Sequence, residues 1–178
     1  MSTEYAPGRI GFGELPSAVE LLRAFRADPA GRGHPVLDAA RELMRCHERR
    51  WNAHQAARAP DAPSSKVAAC SQVVDDVDVT RMRLVDRIDT WVADNIPHRD
   101  GATLHTETLG AVIDRMAAKW VAAQHALGLA DSGGPVPIAQ RGLGGEAHLQ
   151  WVRLAELADG YKDLITDVTE HRRRLPVF

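Results

Sequence analysis

Arg81 interrupts the apolar series Val74, Val77, Leu84 and Ile88, while His47, His54 and Arg58 continue the stripe that Leu37, Met44 and Trp51 begin. Burying an unpaired guanidinium costs several kcal/mol, about what holds a whole domain together. Arg81 on such a stripe therefore demands a carboxylate partner, a wet cavity or an anionic ligand. Its candidate partners are Asp78, Asp86, Glu107 and Asp114. Guanidinium groups grip carboxylates and phosphates in a forked geometry, and a neighbouring histidine can move a proton near neutral pH. These residues could hold and protonate a small anion. An internal ion pair, or an arginine that snorkels to water, meets the same demand without any ligand.

The second polar concentration is Leu104 to Met116. Thr106 and Thr108 can cap the start of a helix, and Glu107 in its first turn gains about 0.3 to 1 kcal/mol from the helix dipole. The capping account leaves out Gly110 and Asp114, which share a face with Ala117 and Val121. That face of small residues suits a close helix neighbour or a ligand. Asp114 and Arg115 also read as a solvated pair.

These residues must be positioned by helices. Val19, Leu22 and Phe25 predict a short first helix within 16–28. The series from Leu37 to Arg58 predicts a second over 34–59, closed by Pro60 and Pro63. Ser64 and Ser65 open a third running to Asn95, with Val67, Cys70, Val74, Val77, Arg81, Leu84, Ile88 and Trp91 on one stripe. A fourth covers 106–127, ended by Gly128, and a fifth covers 146–175. Between them, 128–145 holds six glycines and two prolines without periodicity, which predicts a long loop, connector or lid. No segment alternates with period two, so no sheet is expected. The prediction is an all-α protein: an antiparallel bundle of four long helices plus a short N-terminal helix. Residues 1–14 form a flexible arm and 15–178 a single domain.

Composition removes several functions. The 178 residues are 44% hydrophobic and 26% charged with a net charge of −2, which fits a globular chain and gives no field to gather nucleic acid. No apolar run approaches the roughly 20 residues of a membrane helix, and the N-terminus has no leader pattern, so a cytoplasmic setting without membrane partners is expected. Cys46 and Cys70 lack metal-site or disulfide-scaffold spacing and read as small core residues. His47, Glu48 and His54 offer metal-type ligands, but no Glu-x-x-His occurs, so neither metal nor cofactor is expected. The glycines of 142–145 follow no strand, which removes the dinucleotide and P-loop contexts. Eight histidines, among them His98, His105, His125 and His148, read as polar surface or as a pH-sensitive one.

Three segments together resemble the bacterial family known as domain of unknown function 4254. Its Asn-Thr-Glu-Thr-Pro-Gly-Ser followed by Ile-Asp-Arg-Leu is matched by Thr106, Glu107, Thr108, Gly110, Ile113, Asp114 and Arg115, with His105, Leu109, Ala111 and Met116 departing. Its Trp-His-Leu-Glu-Asp helix keeps Trp51 and Arg58, but Asn52, His54 and Gln55 replace histidine, glutamate and aspartate. Its Asn-x-x-Arg-Asn-Asp keeps Arg81, with Asp78, Met82 and Arg83 departing. The resemblance covers about 35–175 and implies the helical fold and no particular reaction. The departures remove acids from the implied pocket while Arg58, Arg81 and Arg115 stay, which favours an anionic small metabolite.

On this reading His54 and Glu107 are the candidate catalytic residues, and Trp51, Arg58, Arg81, Asp114 and Arg115 hold the ligand, in a setting of bacterial specialised metabolism. The competing expectation is a structural or partner-binding module, homodimeric, whose polar residues form only ion pairs and caps. A metal-dependent enzyme is the third.

Overall fold

The structure, a computed structural model, describes residues 14–26, 33–131 and 141–176. Five helices stand among them: α1 (Ala18–Arg26), α2 (Pro35–Ala57), α3 (Ser64–Asn95), α4 (Leu109–Asp131) and α5 (Arg141–Thr169). The all-α expectation holds. The arm expected over 1–14 lies, except for Glu14, outside the described residues.

Each helix start has a local cause. Ser17 and Glu20 form a reciprocal capping box ahead of α1, with Ser17 N–H and Oγ donating to Glu20 Oε2 at 2.8 and 2.7 Å. His34 caps α2: its Nδ1 accepts from Val36 N–H at 3.2 Å while Nε2 donates to the Glu14 carbonyl at 2.9 Å. This bonding fixes the Nε2–H tautomer, and burial pushes the His34 pKa down. Pro35 then takes the first helical position, where a missing N–H costs nothing.

α2 packs on α3 and α4, α4 also on α3 and α5, and α1 on α2 and α5. α1 is a full part of the core, since it contributes buried Leu21 and Phe25, and the Tyr161 hydroxyl of α5 donates to the Pro16 carbonyl at 2.8 Å. Phe25 lies tilted against Trp120, and Trp151 meets Trp120 edge to face, at centroid separations of 6.1 and 5.8 Å.

Three expectations need correction. The buried face of α2 is Val36, Ala39, Ala40, Leu43, Cys46, His47 and Ala53, whereas Leu37, Met44 and Trp51 are only half-buried. The stripe is therefore rotated by about one residue from the expected one, and Cys46 is a core residue as its small apolar character suggested. The glycines at 128 and 142–145 lie within α4 and α5, so both ends of the loop expected over 128–145 are helical, and the rest of that span lies outside the described residues. A short parallel ladder also exists, β1 (Thr103–Leu104) beside β2 (Arg173–Arg174). Two-residue strands carry too few positions to show any periodicity.

Candidate functional site

α2, α3 and α4 meet around Asp114, and the reason is charge. Arg81 Nε and Nη2 donate to Asp114 Oδ1 and Oδ2 at 3.2 and 2.6 Å, a forked pair, and His47 Nε2 donates to Oδ1 at 2.8 Å. On its third nitrogen Arg81 donates to Asp78 Oδ1 at 2.7 Å, one turn earlier on α3. Arg50 of α2 brings its Nε within 3.4 Å of the same oxygen. Two guanidinium groups thus face two carboxylates, and each helix of the trio contributes at least one member.

The pair is mostly out of water, with Arg81 at 23% and Asp114 at 16% side-chain exposure. Burial alone would raise the Asp114 carboxyl, but the hydrogen bonds from His47 and Arg81 outweigh it and hold its pKa down at about 2. In return, its hydrogen bonds to Asp114 push the Arg81 pKa upward. Asp114 is ionised at neutral pH and can only accept, so it fixes the Nε2–H tautomer of His47. Among the described residues no group hydrogen-bonds His47 Nδ1.

The start of α4 depends on a second carboxylate. Thr108 Oγ1 accepts from Ala111 N–H at 3.1 Å as the cap, and Asp89 Oδ1, reaching across from α3, accepts from Gly110 N–H at 2.8 Å. Gly110 lies close against the α3 backbone at Val85. Of the two threonines read as caps, only Thr108 does this work; Thr106 is exposed on the loop before the helix. Burial raises the Asp89 pKa in spite of these bonds.

A groove of about 430 Å³ runs along α3 and α4 over this centre. Asp78, Arg81, Asp86 and Asp114 line it with polar groups, and Met82, Val85 and Ala111 with apolar ones.

The structure brings Arg81 and Asp114 together, with Asp78 as a second partner. It does not bring the other candidates there. Glu107 takes Arg115 in a forked pair at 2.7 and 2.8 Å, on the surface and away from Arg81. Arg58 is exposed at the C-cap of α2, and His54 is exposed beside a separate small groove with Cys70 and Asp75. Both follow from the rotated face of α2, which turns these positions outward. Trp51 stacks flat on His125 of α4 at 4.6 Å and 9°, and His125 Nε2 lies 3.0 Å from Glu48 Oε1. His47, Glu48 and His54 therefore point to three different neighbourhoods, and do not form one ligand set. Convergence of Arg58, Arg81 and Arg115, the premise of the anionic ligand, is not met. His47 and Arg50 are the members that sequence reasoning left out of the site. His47 carried a signal, its place on the apolar stripe, whereas exposed-looking Arg50 carried none.

No helix among the described residues is long and apolar enough to cross a membrane. No curated protein and no solved structure matches the chain. A family model does match, over residues 37–177, and that span contains all five members of the Asp114 cluster. Since it covers well over half of the sequence, the chain belongs to the family described as protein of unknown function (DUF4254).

Proposed function

We propose that the protein binds a small metabolite in the groove beside Arg81 and Asp114. The observation that carries this reading is the mostly buried Arg81–Asp114 pair lining an open groove of about 430 Å³ together with the apolar Met82, Val85 and Ala111. Fixed polar groups orient a ligand and apolar ones supply contact area. The ligand that fits is uncharged or zwitterionic rather than anionic. Three of the five N–H donors of Arg81 are already taken by Asp114 and Asp78, and Asp86 lines the same groove, so carboxylates outnumber the one cation there and repel a lone anion. The cytoplasmic and metabolic setting suggested by composition belongs to this proposal.

The test is a thermal-shift screen of polar metabolites against wild type and Met82→Trp. Met82 is 68% exposed, so an indole there fills the groove without disturbing the core. A compound at a hundred times its Kd should raise the wild-type Tm by about 5–10 °C and leave the variant unmoved. Equal shifts in both proteins, or none from a broad set, would overturn the reading.

A partner-binding module is the second reading, supported by Met82, which lines the groove, and Val79 one turn before it, exposed at 68% and 48%. It requires a dimer or hetero-complex that Met82→Asp dissociates in sedimentation equilibrium.

A further inference from the structure

The strongest arrangement outside the groove is the contact between the loop that follows α3 and the chain segment that follows α5. Thr103 N–H donates to the Arg172 carbonyl at 3.2 Å and His105 N–H to the Arg174 carbonyl at 2.9 Å, making the β1–β2 ladder. Side chains reinforce it from both directions. Arg174 donates through Nε to the Ala102 carbonyl at 3.2 Å and through Nη1 to His98 Nε2 at 3.1 Å. Arg99 donates through Nη2 to His171 Nε2 at 3.4 Å. A guanidinium has donors only, so both contacts require imidazoles whose Nε2 carries a lone pair. Two neutral histidines thus hold two arginines across one joint.

The surroundings decide what a proton would do. His98 Nε2 lies 3.9 Å from Asp100 Oδ1, on its own loop, and Asp100 is fully exposed. It is a waiting acceptor for a charged His98. The acids beside His171 in sequence are already engaged: Asp167 by Arg172 and Arg173, and Glu170 by Arg172. His105 is occupied locally, with Nδ1 set between the backbone carbonyl and N–H of Glu107 and of no use to the joint. A charged His171 therefore faces Arg99 at 3.4 Å, and Glu14, which lines the same cavity, makes no ion pair with it among the described residues.

We propose that this joint is an acid-released clip. In the range where histidines charge, about pH 8 to 5, His98 and His171 each take one proton from solvent at Nε2. Each loses its arginine donor and becomes a cation facing a cation. His98 turns to Asp100, Arg174 is freed, and the loop ahead of α4 loosens from the C-terminal strand. The helical core takes no part, because no member of the clip lies in it.

Amide hydrogen exchange of Thr103 and His105, divided by the intrinsic rate at each pH, reads the clip directly. Wild-type protection at these two amides should fall about tenfold from pH 7.5 to 5.5, with core amides such as Leu84 unchanged. In His98→Gln with His171→Asn, side chains that accept without charging, protection should be the same at both pH values. Asparagine suits position 171, where the backbone is left-handed at φ 60°. His98→Gln alone should remove about half of the pH effect on a logarithmic scale. A pH-independent wild type, or an undiminished pH effect in the double variant, would overturn the proposal.

Discussion

Arg81→Ala should lower the unfolding free energy by about 3 kcal/mol at pH 7, measured by urea denaturation, because it leaves Asp114 and Asp78 in a half-dry setting without their shared cation. The size follows from the asymmetry of ion pairs in protein interiors. A complete pair is worth little against an apolar substitute, but half a pair is a charge with its desolvation unrepaid. Asp114→Ala on its own strands Arg81 in the same way. Combining the two should therefore cost less than the sum of the single changes, with a coupling of about 2 kcal/mol. Additive effects would mean that Arg81 and Asp114 do not act as a unit. Glu107→Ala should cost less than about 1 kcal/mol, since its pair with Arg115 lies on the surface. Both acids are candidate partners of Arg81 by sequence, and the contrast between them carries the test.

Gly110→Ala should destabilise the protein by about 2–3 kcal/mol. A methyl group there would stand 2.7 Å from the Val85 carbonyl oxygen, 2.9 Å from Asp89 Oδ1 and 3.0 Å from Val85 Cγ1. The first of these is backbone of α3 and cannot step aside, and the second is the carboxylate that caps Gly110 itself. α4 would have to withdraw from α3, taking Asp114 away from Arg81. Gly160 is the control: it lies in α5 with open space around its would-be Cβ. Gly160→Ala should stabilise by up to about 1 kcal/mol through helix propensity alone. Thermal and urea unfolding of the two variants would separate close helix contact from helix propensity.

The bounds of α3 were legible because Pro63 and the serines mark its start and a long regular stripe fills it. Arg81 was legible for the same reason, as a charge within a series of branched aliphatics. The buried face of α2 was not, since it is made largely of Ala39, Ala40, Cys46 and Ala53, small residues that weigh little in any hydrophobic pattern. Leu37, Met44 and Trp51 weigh more and lie at the edge. The whole misplacement of His54 and Arg58 follows from that imbalance. The glycines of 142–145 suggested a loop because propensity favours one, yet α5 runs through them. The partner of Glu107 was hidden for another reason. α4 begins at Leu109 rather than Thr106, so Glu107 lies before the first turn and folds back on Arg115. Asp89 and the β1–β2 joint depend on contacts between distant segments, of which a local pattern holds no trace.

Asp114 is an ionised centre shared by three helices, and its own titration tests that most directly. Burial opposes the charge, and His47 and Arg81 overcome it, so the carboxyl carbon followed by NMR should titrate near pH 2. A carboxyl with a lowered pKa stabilises the fold fully above its unfolded value of about 3.9, and that contribution is lost as the pH falls toward 2. A titration midpoint near 2, with wild type and Asp114→Asn converging in stability as acid is added, is the predicted result. A midpoint at or above about 4 would contradict it, because Asp114 would then lack the two donors that join α2 and α3 to α4 beside the groove.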